Sequence, residues 1–156
     1  MTFSLLFVCL GNICRSPLVE AAFRREADRL GLDVEIDSAG TGEWHIGRAP
    51  DPRAIAVAAR NGVDISGLRA RQVTRADFRR FDRIVALDES NLSALDAMRP
   101  ADGRARLSLL LDHVPGREGQ AVADPYYGAD EQFDVTWADA VAGAEALARE
   151  IARDEA

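Results

Sequence analysis

The segment Cys9-Leu10-Gly11-Asn12-Ile13-Cys14-Arg15-Ser16 opens with a nucleophile and closes with a guanidinium and a hydroxyl. A loop of this kind between a strand and a helix turns several backbone N–H groups toward one point and makes a nest for an anion. Gly11 and Asn12 are residue types that tolerate the positive φ angles of a tight curl. Arg15 presents a planar fork matched to two phosphate oxygens. In that positive field the Cys9 thiol is expected to ionise readily, and the thiolate is the form that attacks. Ser16 is suited to donate a hydrogen bond to the sulfur, which steadies the thiolate and improves it as a later leaving group. The ordinary role of a cysteine ending a buried strand is that of a small hydrophobe, and this reading suits Cys14. An isolated Cys-x5-Arg spacing is only moderately specific, but the full string followed by Ser-Pro at a helix start is far rarer.

Such a loop needs a strand before it and a helix after it, and both are legible. Ser4 to Val8 is a continuous apolar run, as expected of a buried parallel strand. Ser16 is the expected N-cap and Pro17 the first helical position. Val19, Ala22, Phe23, Ala27 and Leu30 then recur at helical spacing up to Gly31. Val34 to Ser38 predicts a second strand, Ala39 to Pro52 a loop, and Pro52 to Arg60 a helix ending before Asn61-Gly62. Ile84 to Leu87 predicts a third strand, with Asp88 opening the next helix. Arg106 to Leu111 predicts a fourth strand and Val114 to Asp130 a long loop. Trp137, Val141, Ala144, Leu147 and Ile151 form one face of a terminal helix. Strands alternating with helices indicate an α/β domain with a parallel sheet, in which ligands sit beyond the carboxyl ends of the strands. Cys9 to Ser16 falls there.

Composition removes several alternatives. The 156 residues suit one domain, spanning 1–156, with a single core. A formal charge of −7 disfavours nucleic acid and anionic membrane as partners. The N-terminal apolar run is short and lacks preceding basic residues, and no segment is apolar for long enough to insert in a bilayer, so a cytoplasmic protein is expected. Two cysteines five positions apart make no disulfide framework. All 19 basic residues are Arg, which excludes Schiff-base chemistry and the lysine of nucleotide P-loops. His45 and His113 with the two cysteines have no metal-site spacing. The string GTGEWHIG fails the dinucleotide fingerprint, and no Gly-x-Ser-x-Gly elbow is present. A reaction without metal or cofactor is expected. The cluster Arg69, Arg71, Arg75, Arg79, Arg80 and Arg83 is read as a solvated face in preference to a peptide-steering patch.

The string VCLGNICRSP resembles the signature of the low-molecular-weight protein tyrosine phosphatases. DSAGTGEWHIG, PDPRA, ARQVTRADFRRFD, ALDESNL and DPYYG follow in that family's order over nearly the whole chain. The resemblance implies a three-layer, flavodoxin-like doubly wound α/β domain with a four-stranded parallel sheet. It implies hydrolysis of phosphotyrosine in proteins or peptides, with inorganic phosphate as product and inhibitor. Cys9 and Arg15 are then catalytic, and Leu10, Gly11, Asn12, Ile13, Cys14 and Ser16 complete the phosphate loop. Thiolate attack on a phosphate ester also needs a proton for the departing phenolate oxygen. Asp124, restrained by Pro125, is a candidate donor, although an Asp-Pro pair ordinarily just starts a turn. The resemblance implies that Asp124 is the acid. It also implies that Trp44 and Tyr126 line the cleft, whereas Tyr127 is open to a packing role.

Asn12 is expected to hold the loop through its side chain, with Ser38 as partner by resemblance. Many relatives carry a His just before ARQ, where this chain has Gly67-Leu68-Arg69, so the support of Asn12 is expected to be rebuilt. The family pairs cysteines corresponding to Cys9 and Cys14 in a disulfide, which implies reversible protection of Cys9 from over-oxidation. Ile13 favours phosphotyrosine over phosphoarginine, since arginine phosphatases tend to carry Thr there. An arsenate reductase lacks its thiol relay here, because no cysteine follows Cys14. A silent phosphopeptide binder has no need of an acid such as Asp124.

Overall fold

The computed structural model describes residues 2–154. Its centre is a parallel sheet of β1 (Phe3–Cys9), β2 (Val34–Gly40), β3 (Arg83–Ala86) and β4 (Arg106–Leu109), in the order β2-β1-β3-β4. β1 lies between β2 and β3, pairing Phe7 with Ser38 on one side and with Val85 on the other. Leu5, Leu6, Phe7 and Val8 are fully buried, which is why the strand is a continuous apolar run. This is the flavodoxin-like order, whose chain reversal leaves a crevice at the carboxyl ends of β1 and β3.

The connections are α1 (Arg15–Leu30), α2 (Pro52–Arg60), the single turn α3 (Asp77–Arg80) and α4 (Glu89–Met98), with α5 (Asp130–Asp154) last. Phe7, Val19, Phe23, Val57 and Leu147 belong to the core between the sheet and α1, α2 and α5. Leu6, Ile84, Phe78, Phe81 and Leu95 belong to the core on the α4 side. The result is three layers. Among the described residues no helix is long and apolar enough to cross a membrane.

Four expectations shift by physical causes. α1 starts at Arg15, with Cys14 at the cap and no side-chain capping bond. Ser16 is therefore not the N-cap; its hydroxyl is engaged with Cys9 and Asn12. β2 runs on through Ala39 to Gly40, where Gln72 adds an isolated parallel bridge. β4 stops at Leu109, and Leu110 to His113 tightens into a 3-10 turn. Leu110 and Leu111 both enter the core beside α5, whereas consecutive strand residues point to opposite faces. α3 was not anticipated; its Asp77 carboxylate accepts from the Thr74 N–H at 2.8 Å, and Phe78 and Phe81 anchor it in the core.

The arginine cluster is dispersed and largely paired internally. Arg71 meets Asp37 and Asp77, Arg79 meets Asp102, Arg80 meets Glu35, and Arg83 meets Glu150 and Asp154. The expectation of one solvated face is thus only partly met, since Arg83 is buried, 4% exposed, beneath Glu150 and Asp154.

Candidate active site

The chain leaves β1 at Cys9 and curls once before α1 begins at Arg15. Asn12 has φ 57°, the one positive value at a non-glycine position among the described residues. Gly11 is not in the left-handed region; a Cβ there would lie 2.9 Å from Cδ2 of His45, so the imidazole would have to shift to admit one. Cys9 is only 3% exposed, at the floor of the loop. The Asn12 N–H donates to its Sγ at 3.3 Å, and the Ser16 Oγ lies 3.1 Å away.

The sense of the Ser16 bond follows from its neighbours. Asn12 Oδ1 accepts from the Arg71 N–H at 3.0 Å, which fixes the amide orientation. Asn12 Nδ2 then donates to Ser16 Oγ at 2.8 Å and to Ser38 Oγ at 3.0 Å. Ser38 Oγ donates in turn to the buried Glu20 Oε1 at 2.6 Å, because a carboxylate only accepts. With Asn12 donating to it, Ser16 has its own proton free for Cys9. The departure at Gly67-Leu68-Arg69 is thus met by a backbone group: ARQV runs beside the end of β2 and presents the Arg71 N–H to Asn12.

Glu20 is the terminal acceptor of this chain, receiving Ser38 on Oε1 and Arg24 on Oε2. Glutamine has one acceptor oxygen for two donors. Glu20→Gln is therefore expected to lower kcat/KM about tenfold, the scale of one hydrogen bond to a charged group. Steady-state kinetics checks this, and unchanged kcat/KM would show that the sense of the chain is immaterial.

Arg15 is 3% exposed yet charged. Burial pulls its pKa down, but the Cys9 charge, the hydrogen bond and charge of Asp88, and Asp124 outweigh it and raise the pKa above the ordinary value. Nη1 donates to Asp88 Oδ2 at 2.6 Å and to the Val122 carbonyl at 3.1 Å. Asp88 also caps α4 through Oδ1, accepting from the Asn91 N–H at 2.7 Å. Arg15 Nη2 lies 3.7 Å from Asp124 Oδ2. One end of the guanidinium is thus anchored, and the other meets Asp124 at the edge of a cavity of about 380 Å³ that both residues line.

Cys9, Leu10, Gly11, Ile13, Cys14 and Arg15 form the base of that cavity. Trp44, Tyr126 and Asp124 line its walls. Asn12 and Ser16 do not line it; their side chains lie behind the loop and support it. Tyr127 is not a packing residue: it lines the mouth, is 95% exposed, and meets Tyr126 edge-on at 4.9 Å. Burial, the Asp51 charge, Cys9 and Asp124 raise the Cys14 thiol pKa far above the ordinary range. Three contributors escaped the sequence reading. His45 was weighed only as a metal ligand, Asp88 only as a helix start, and Glu20 not at all. The position of Asp88 just beyond β3, where ligands collect, was the available signal for that residue.

Comparison with known proteins agrees with this arrangement. The family described as Low molecular weight phosphotyrosine protein phosphatase matches residues 4–156. A Schizosaccharomyces pombe protein of that description is 45% identical over 131 residues, covering 82% of this chain and 83% of its own. The crystal structure of YfkJ from Bacillus subtilis superposes with TM-score 0.92 at 38% identity, covering 100% of this chain and 98% of that one. DARP, a Drosophila arginine phosphatase, gives TM-score 0.88 at 28% identity, covering 94% and 96% respectively. A cysteine loop closed by an anchored arginine, at the carboxyl edge of this sheet and within a match over nearly the whole length, leaves one assignment: the chain belongs to the low molecular weight phosphotyrosine protein phosphatase family, a family of enzymes.

Proposed function

We propose that this chain hydrolyses protein phosphotyrosine through a phosphorylated Cys9, with Asp124 as general acid and then general base. The observation that carries this reading is the convergence of Cys9, Arg15 and Asp124 on one cavity, with Arg15 Nη2 3.7 Å from the Asp124 carboxylate. The substrate phosphate occupies the loop, and Trp44 and Tyr126 flank its phenyl ring. Cys9 thiolate attacks phosphorus in line, the bond from phosphorus to the tyrosyl oxygen breaks, and Asp124 protonates that oxygen. Asp124, now a carboxylate, takes a proton from water as the water oxygen attacks phosphorus. The S–P bond breaks, Cys9 leaves as thiolate, and inorganic phosphate departs. Loop N–H groups and Arg15 stabilise the charge on the equatorial oxygens, and no cofactor enters the steps. Phosphate, bound in the same loop, is a competitive inhibitor as well as product. A thiolate nucleophile needs Cys9 reduced, which suits work in the reducing cytoplasm.

Ile13 lines the cavity and favours the aryl ester over phosphoarginine. The test is phosphate release from matched phosphotyrosine, phosphoserine and phosphoarginine peptides with chelator and reductant present. Release from phosphotyrosine alone is expected, with acid-quenched enzyme carrying one phosphoryl group on the Cys9 peptide. Preferential release from phosphoarginine would reassign the substrate, and no release from any peptide would sink the hydrolase reading.

A further inference from the structure

Asp124 sits in a stretch without regular structure, between the 3-10 turn ending at His113 and α5 beginning at Asp130. Its side chain is 41% exposed, so packing does not hold the carboxyl in place. An acid must nevertheless meet the leaving oxygen within hydrogen-bond reach, and a displacement of about 1 Å is enough to lose roughly a hundredfold in rate. Part of the restraint comes from the β3 side, where the Val122 N–H donates to the Leu87 carbonyl at 2.8 Å. Thr136 of α5 donates to the Ala123 carbonyl at 3.3 Å. The Tyr126 N–H donates to Asp124 Oδ1 at 3.1 Å, so the carboxyl is tied to the Tyr126 backbone, which is itself held from α2.

Arg53 supplies that hold. Its Nη2 donates to the Tyr126 carbonyl at 2.9 Å and its Nη1 to the Gly128 carbonyl at 3.2 Å, gripping the chain just after Asp124. The same guanidinium is forked onto Asp51, with Nε on Oδ1 and Nη2 on Oδ2, each at 3.1 Å. Asp51 belongs to the other side of the site, because its N–H donates to the Ile13 carbonyl of the phosphate loop at 2.8 Å. The guanidinium also lies over the Phe133 ring, 4.6 Å from its centroid, at the start of α5. Arg53 does not line the catalytic cavity.

We propose that Arg53 is a positioning residue that rivets the loop bearing Asp124 to the loop bearing Cys9, so that acid and nucleophile keep their register. The inference rests on Asp124 being the general acid. Burial pushes the Asp51 carboxyl up, but the side-chain and backbone hydrogen bonds of Arg53 outweigh it and hold the group below the ordinary carboxylate range. The fork therefore stays ionised through neutral pH. Only a planar guanidinium reaches a carboxylate and two carbonyls at once; a lysine offers a point charge without the fork.

The experiment compares Arg53→Met, Asp124→Asn and the double variant on two substrates. One is a phosphotyrosine peptide, and the other an aryl phosphate whose fluorinated phenolate leaves without protonation. Arg53→Met keeps an apolar stem over Phe133 and removes every donor. Its kcat/KM on the peptide is expected to fall about 30-fold, and on the fluorinated ester less than about threefold. Inhibition by inorganic phosphate is expected to stay within about twofold, because the Cys9 loop is intact. In the Asp124→Asn background the Arg53 change should add little further loss, since both act through one carboxyl. Equal losses on both substrates, parallel weakening of phosphate inhibition, or full additivity in the double variant would each overturn the proposal. Absence of leaving-group selectivity in Asp124→Asn itself would remove the acid, and the proposal with it. Selectivity in Asp124→Asn alone would overturn Arg53 while leaving the acid in place. Should Arg53→Met not fold, Arg53→Lys is expected to show the same selectivity at smaller amplitude, and its absence there would overturn the proposal equally.

Discussion

Replacing Cys9 by Ser is expected to lower phosphate release from phosphotyrosine by at least about ten-thousandfold, the scale at which loss of a covalent nucleophile removes a reaction path. The local geometry is built around sulfur: the Asn12 N–H and the Ser16 hydroxyl both lie within hydrogen-bond reach of Sγ. A serine hydroxyl in the same place holds its proton tightly, and the groups bonded to Sγ, the Asn12 N–H and the Ser16 hydroxyl, are not bases that could take it. Cys14 does not substitute, although it lines the same cavity. Its burial and the nearby Asp51, Cys9 and Asp124 charges keep it a neutral thiol. Binding, by contrast, rests on the loop N–H groups and Arg15, which the change leaves alone. Phosphate-release assays paired with equilibrium binding of a phosphotyrosine peptide separate the two effects. Retained binding with lost turnover is the expected pattern. Turnover within tenfold of wild type would mean that another group attacks phosphorus.

Arg15→Lys is expected to lower kcat/KM about a thousandfold, at the upper end for loss of a positioned donor to developing charge. Charge alone is conserved in this variant, so the loss isolates geometry. Arg15 engages Asp88 and the Val122 carbonyl through Nη1 while Nη2 points toward the Asp124 side of the cavity. A lysine ammonium is one point: where it satisfies Asp88 it abandons the phosphate, and where it reaches the phosphate it leaves Asp88 unpaired. Breaking the Arg15–Asp88 pair, in which Arg15 is buried, also lowers stability, so the melting temperature should fall with the rate. Steady-state kinetics on a phosphotyrosine peptide, with a thermal melt as companion, gives the reading. A loss below tenfold would show that a point charge suffices.

The sequence by itself determined what local order can encode. Cys9 and Arg15 lie in one short segment, so their chemistry is legible from type and spacing, and the flanking strand and helix follow from the buried run of β1 and the helical spacing of α1. Asp88 as a helix cap was equally local, since it acts on Asn91 three residues on. Asp124 was different: its residue type and Pro125 alone suggested a turn, and family resemblance implied its role. Only the tertiary structure decided which distant groups meet. Arg15 finds Asp88 because β3 lies beside β1, and Asn12 finds the Arg71 N–H because ARQV runs beside β2. Tyr127 faces the cavity mouth, and Arg53 reaches across to the loop that bears Asp124, for the same kind of reason. Local periodicity reports which face of an element is apolar. It carries no information on the strand order that brings two loop ends together, and that order is what joins Cys9, Arg15, Asp88 and Asp124 at one cavity.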